Sequence, residues 1–310
     1  MKGFLKSTLL IMAFFALAFS VSAKELKFVL ITMDSMDEHW LSVKAGAEAK
    51  AKELGIKLSF NAPSGKVDPN EQTRMVEDAI TKRVDAILIA PSDAAALSPV
   101  VNRAIKAKIP VVVIDSPVNS KGCLTFLATD NYKAAQLAAD ELAKLINNKG
   151  KVAIVNAQAG SGTTVLRVNG FVDRIKTNYP DIKIVSTQYC NGDKMLALSQ
   201  AMDIMTANPD LAGFYTSNEG STVGVARAIQ EKGKSRKIIL VGFDKSVDII
   251  KGIENHSIEA VMAQDPYKMG YDGVAAAYDF ITSGKKPAEK VDTGVKVITI
   301  DNVSEIKKKN

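Results

Sequence analysis

Cysteine, histidine and tryptophan are nearly missing from this chain: its 310 residues hold two cysteines, two histidines and one tryptophan. His39 and His256 lie far apart and neither cysteine has a CxxC context, so no metal-ligand spacing is present and no metal site is expected. A P-loop lysine and a complete dinucleotide fingerprint are lacking too. Gly160-Ser161-Gly162-Thr163-Thr164 stands where backbone N–H groups can bind an anion, but without that lysine it reads as a plain strand-to-helix turn. No cofactor is expected, and the chain does not read as an enzyme, because nucleophile, metal cluster and cofactor loop are all missing from the pattern. Cys123 and Cys190 fall in different halves. Two isolated thiols are the simpler reading, and a bridge stays open, since it requires Cα atoms within about 7 Å.

Charge of one sign is not concentrated either. The 40 basic and 34 acidic residues are interspersed, with no basic stripe for a phosphate backbone. Lys307-Lys308-Lys309 reads as a solvated tail, and a nucleic-acid partner is not expected. No Pro/Gly/Ser-rich linker divides the chain, which excludes a long tether between independent modules.

The N-terminus carries a pattern of its own. Lys2 and Lys6 precede an apolar run from Leu9 to Phe19, and Val21-Ser22-Ala23 follows with small residues. That order is a cleavable signal peptide over residues 1–23, with a run shorter than the roughly 20 residues of a membrane span. No cysteine sits at the exit for lipid attachment, so a periplasmic location is expected. Cleavage would leave 287 residues and lower the formal charge from +6 to +4, because Lys2 and Lys6 depart with the leader.

What remains is long enough for two domains of about 100 to 150 residues. Short β-branched runs alternate with amphipathic stretches, as in parallel βαβ units. Phe28–Ile31, Lys57–Phe60, Ala86–Ile89 and Pro110–Ile114 read as strands in the first half. Lys151–Val155, Ile182–Val185, Gly213–Tyr215 and Ile238–Val241 do so in the second. Their near-continuous hydrophobicity implies burial on both faces. Asp68-Pro69-Asn70-Glu71 opens a helix running to about Arg83, with Glu71 placed to complete a capping box. The expected fold is α/β, two similar doubly wound parallel-sheet lobes. Ligands of such sheets bind beyond the carboxyl ends of the strands, so a cleft between the lobes is the expected site.

Polar residues recur at those ends: Asp34 to His39, Asp115, Asn218, Asp244 and Gln264. Singly, Asn218 and Asp244 also suit the N-cap of a following helix. Together with Val241-Gly242-Phe243-Asp244, however, they form an ordered series that resembles the ribose-type periplasmic binding proteins over essentially the whole mature chain. Trp40 to Ala47 is similar to that family's first helix, and Ala128-Thr129-Asp130-Asn131 to its first crossing between lobes. Arg167-Val168-Asn169-Gly170-Phe171, Ser217-Asn218-Glu219 and Ala263-Gln264 complete the likeness.

The resemblance implies the type I periplasmic binding protein fold with a three-segment hinge. Its lobes would comprise residues 24–129 plus 265–292 and residues 130–264 plus 293–310. It implies ligand contacts from Asp37, His39, Trp40, Asp115, Ser116, Arg167, Asn218, Asp244 and Gln264. Carboxylates accept from hydroxyls, Arg167 donates in a fork, the amides do both, and Trp40 would cover the apolar face of a sugar ring. Core packing for Trp40 and a surface pair of Arg167 with Asp173 are the plainer alternatives. The implied function is hinge closure on a monosaccharide or polyol for delivery to the membrane permease of an ABC importer, by a monomer. A non-sugar solute such as a nucleoside or amino acid, and a role feeding a chemoreceptor, are the alternatives. Effector domains of lac-repressor-type regulators share the fold but carry a helix-turn-helix headpiece where this chain has its leader.

The pattern departs from that family at the pocket. His39-Trp40 replaces a pair of phenylalanines, Gly192 stands at an aromatic position, and Ser116 replaces an arginine. These changes leave room for a hexose, a polyol or a substituted sugar rather than ribose.

Overall fold

The computed structural model describes residues 25–64 and 67–307. The leader over 1–23 and most of the terminal lysine triplet lie outside these residues.

In chain order, β1 (Lys27–Ile31), α1 (Glu38–Leu54), β2 (Lys57–Asn61), α2 (Pro69–Thr81), β3 (Ala86–Ile89), α3 (Ser98–Lys106), β4 (Val111–Ile114) and β5 (Thr125–Ala128) build one sheet and its cover. The chain then passes into α4 (Asn131–Leu145), β6 (Gly150–Asn156), α5 (Gly162–Asn178), β7 (Ile182–Tyr189), α6 (Lys194–Ala207), β8 (Leu211–Thr216), α7 (Glu219–Glu231), β9 (Ile239–Phe243), α8 (Val247–Glu254) and β10 (Ala260–Gln264). It ends with α9 (Pro266–Ser283), β11 (Lys290–Asp292), β12 (Val295–Thr299) and α10 (Val303–Lys307).

The first sheet runs β11-β5-β4-β3-β1-β2 and is parallel throughout. The second runs β12-β10-β9-β8-β6-β7, parallel except for β12, which pairs antiparallel with β10. The same order thus occurs twice, so each sheet has its switch point between its first and third strands.

Alternation along each strand explains the continuous apolar runs. In β1, Phe28 and Leu30 join the core beneath α1 and α9, while Val29 and Ile31 join the core beneath α2 and α3. Leu88 and Val112 follow the first pair, and Ile87 and Val111 the second. Both faces are buried, so every residue of β3 and β4 must be apolar. The second lobe repeats this with two cores of its own.

The cover is exchanged between lobes. α4 follows the fifth strand of the first sheet but buries Ala135, Ala138 and Leu142 in a second-lobe core. α9 follows β10 yet packs Val274 and Ala277 into the first-lobe core. Close approach there depends on glycine: a Cβ on Gly270 would stand 2.0 Å from the Val43 carbonyl oxygen, and one on Gly46 2.0 Å from that of Tyr267. The chain therefore crosses between sheets at three places, after β5, after β10 and between β11 and β12.

Asp68 caps α2 by accepting from the Asn70 N–H at 2.8 Å, with Pro69 in the first turn. Cys123 and Cys190 are both free thiols.

Candidate functional site

The carboxyl ends of both sheets face one cavity of about 480 Å³. All nine residues expected from the sequence line it. The loops at the two switch points supply much of the wall: Asp34 and Asp37 after β1, Ser92 and Asp93 after β3, Gln158 after β6, Ser217 and Asn218 after β8.

Two aspartates occupy equivalent places, Asp115 after β4 and Asp244 after β9. Both have left-handed backbone, φ 62° and 74°, a conformation that aspartate tolerates better than most side chains. Each N–H donates to the neighbouring strand, Asp115 to Leu127 at 2.9 Å and Asp244 to Met262 at 3.0 Å. The turn is thereby pinned by the sheet, and the side chain is aimed into the cleft instead of capping the next helix. Ser246, not Asp244, caps α8. The Asp244 carboxylate accepts from the Glu219 N–H at 2.8 Å and from Gln264 Nε2 at 2.6 Å. Asn218 does cap its helix, through a box with Ser221, and lines the cavity as well.

His39 joins the lobes. Its Nε2 lies 3.0 Å from Asp115 Oδ2 in its own lobe, and its Nδ1 3.8 Å from Asp244 Oδ1 in the other. Burial works against a charged imidazole, but the hydrogen bond and charge of Asp115, helped by Asp244, outweigh it and raise the His39 pKa. Burial likewise opposes ionisation of Asp115, yet His39, Arg167 and the Ser116 hydroxyl hold its carboxyl below the usual carboxylate range. Asp37 has no such help: burial, Asp34 and Glu219 push it up to about 7, against the pull of Lys194.

Arg167 is 3% exposed and lies over the Phe243 ring at 4.1 Å. Nε donates to Asn131 at 2.8 Å and Nη1 to the Ser217 carbonyl, while Nη2 has no hydrogen-bond partner among the described residues. A surface pair with Asp173 is not formed; that carboxylate accepts from the Tyr132 hydroxyl at 2.9 Å. Trp40 is 6% exposed, packs into the first-lobe core, and meets His39 edge to face at 4.6 Å between centroids. Its main burial is structural, with only a margin left to the cavity.

The turn at 160–164 contributes more than its sequence suggested. Ser161 caps α5, as a plain strand-to-helix turn should, but Ser161, Thr163 and Thr164 also line the cavity. The Thr163 hydroxyl is within hydrogen-bond reach of Ser116 Oγ and, at 3.2 Å, of the Asp115 carbonyl across the cleft. Glu38 makes another crossing, its carboxylate accepting from the Val247 N–H at 3.0 Å. Gln158 and Asp93 carry no sequence signal beyond a place shortly after a strand, and Thr163 only its place in the 160–164 turn. No group of three or more potential metal ligands occurs among the described residues. No described helix is long and apolar enough to cross a membrane.

A pair of like-ordered parallel sheets facing one polar cavity, with three chain crossings between them, defines a two-lobed solute-binding protein. The periplasmic binding protein domain model matches residues 28–286, and the chain belongs to that family, whose members bind substrates for ABC importers and are not enzymes. It is 30% identical over 282 residues to the ribose import binding protein of Bacillus subtilis, covering 90% of this chain and 89% of that one. A carbohydrate transporter solute-binding protein from Agrobacterium radiobacter, solved with D-arabinose, superposes with a TM-score of 0.89 at 35% identity, over 92% of this chain and 98% of that one. An ABC transporter solute-binding protein from Agrobacterium vitis with bound D-fucose gives 0.88 at 36%, over 92% and 99%.

Proposed function

We propose that this protein is the solute-binding subunit of an ABC importer and closes on a monosaccharide or related polyol, with Asp37, His39, Trp40, Asp115, Ser116, Arg167, Asn218, Asp244 and Gln264 as its contacts. The observation that carries the reading is the convergence of charged and amide groups from both lobes on one cavity. Its volume of about 480 Å³ falls within the 300–1,000 Å³ typical of small-molecule sites. Buried hydrogen-bonding groups suit a ligand dense in hydroxyls, because each group left unpaired would cost about 1 to 3 kcal/mol. Arg167 Nη2 and Gln264 Oε1 are buried and lack partners among the described residues, which provides a donor and an acceptor for hydroxyls.

The lobes would be residues 24–129 with 265–292 and residues 130–264 with 293–310, moving about the three crossings. Contacts drawn from both exist together only when the cleft is shut, so ligand shifts the open–closed population by that difference in affinity. The shut surface is then what the permease distinguishes. Removal of residues 1–23 on export to the periplasm is part of the same reading. Melting-temperature shifts of the mature protein with pentoses, hexoses, polyols, nucleosides and amino acids test it. Stabilisation by one or a few sugars or polyols is the expected result, and stabilisation by amino acids or nucleosides alone would overturn it.

A further inference from the structure

The charge in the cavity is lopsided. Among the described residues, Asp34, Asp37, Asp93, Asp115, Asp193 and Asp244 line it, against one guanidinium, Arg167, and one imidazole, His39. Neutral hydroxyls do not require such an excess.

The pairings sharpen the imbalance. Asp34, Asp93 and Asp193 each accept two backbone N–H bonds, at 2.8 to 3.0 Å. Asp115 is matched by His39, and Asp244 by Gln264 and the Glu219 N–H. Asp37 stands apart: it heads α1 without a side-chain capping bond. Lys194, whose charge acts on Asp37, is hydrogen-bonded at 3.2 Å to Glu219 instead. Glu219 is itself 3% exposed and has one carboxylate oxygen unpartnered. Asp37 and Glu219 thus both draw on the Lys194 ammonium. Burial and the neighbouring acids hold the Asp37 carboxyl at about 7, the condition of a carboxylate short of a cation.

Independent features say that the cavity is built for a ligand. Arg167, 3% exposed, leaves Nη2 without an acceptor, and Ser92, also 3% exposed, leaves its hydroxyl without a partner. Both line the cavity. The arginine can hold a sugar by its hydroxyls while the Asp37 side offers it an acidic wall.

We propose that the solute is an amino sugar or amino polyol, whose protonated amine sits against Asp37 in the field of Asp34, Glu219 and Asp244. This rests on the carbohydrate reading above and narrows it. A compact ammonium supplies the three N–H donors and the positive charge that this corner lacks. It also gives a basis for selection, since a neutral isostere leaves the carboxylates uncompensated and an N-acetylated one removes the charge while adding bulk.

The test is calorimetric titration of the mature protein at pH 7, where Asp37 is partly ionised and such amines are still largely protonated, with D-galactose, D-galactosamine and N-acetyl-D-galactosamine, and the same trio built on glucose. We expect at least tenfold tighter binding of one free amine than of its neutral parent or its N-acetyl form. In Asp37→Asn that ratio should collapse toward one, and in Asp37→Glu it should be largely restored. The ratio in the unmodified protein decides the matter even if a variant fails to fold. Neutral parents binding as tightly as the amines, or tighter, overturns the inference and leaves the carbohydrate reading standing. No binding by any of the six overturns the inference too, and stabilisation by amino acids or nucleosides alone removes both.

Discussion

Asp37 and His39 stand two positions apart, and both hold protons more tightly in the fold than they would in an extended chain, for different reasons. Asp37 is a buried acid among acids, with its pKa raised from 3.8 to about 7. His39 is a buried base against Asp115 and Asp244, also raised. For a group with a raised folded pKa, its stabilising contribution is complete below the unfolded value and fades as pH climbs through the folded one. For Asp37 that window runs from about pH 4 to about pH 7, and for His39 it begins near 6.5. Asp115, whose carboxyl is lowered, acts in the opposite sense and only toward the acid end. The unliganded protein should therefore melt at a falling temperature between about pH 5 and pH 8, and Asp37→Asn should flatten the lower half of that slope. A melting temperature that rises through the window, or a variant as steep as the parent, would contradict the assignment. All nine expected contacts reach the cavity: Asp115, Ser116, Asn218, Asp244 and Gln264 stand at strand ends, where the sheet dictates their direction, while Asp37, His39 and Trp40 at the start of α1 and Arg167 within α5 are carried there by the helices that follow β1 and β6. The wider rim was not legible. Asp93 and Gln158 are ordinary loop residues, and Thr163 an ordinary first-turn helix residue, until two sheets bring them together.

At the scale of the elements, strands were the most readable feature because burial on both faces forces an unbroken apolar run. Ala86–Ile89 carries this in full, with all four residues buried. β11 and β12 were not readable: Lys290–Asp292 and Val295–Thr299 are edge strands, half exposed and mixed in character. The exchanged helices follow a different rule, set by small residues. Gly270 of α9 and Gly46 of α1 let the two backbones approach until there is no room for a methyl group, and Gly170 does the same for α5 against the Tyr132 carbonyl of α4. Ala at any of these helix interiors would raise intrinsic helix propensity by up to about 1 kcal/mol. Packing opposes it. Overfilling typically costs about 1 to 3 kcal/mol, and contact with rigid backbone carbonyls puts these sites at the high end. Gly270→Ala should accordingly lower the melting temperature by several degrees, by a shift of roughly 2–4 °C per kcal/mol for a protein of this size. An unchanged or raised melting temperature in calorimetry would mean that α9 can slide off α1 freely.

Across the whole molecule, closure is biased by contacts that involve no ligand. Glu38 at the start of α1 accepts from the Val247 N–H at the start of α8, so a carboxylate of one lobe caps the positive end of a helix in the other. Thr163 adds a hydroxyl contact to Ser116 and to the Asp115 backbone. Such an exposed charge–dipole contact is worth about 0.3 to 1 kcal/mol. That is too little to shut the cleft alone and enough to set how much of the ligand's binding energy goes into closing it. Where closure limits binding, apparent affinity follows the closed fraction, so Glu38→Ala should weaken sugar binding roughly two- to fivefold. Its unliganded form should scatter X-rays with a larger radius of gyration, converging on that of the parent when ligand saturates both. The difference should shrink as salt is added, since the lost contact is an exposed charge. Identical scattering and affinity in parent and variant would show that Glu38 does not hold the lobes together and that closure rests on the ligand and the buried Ser116–Thr163 contact.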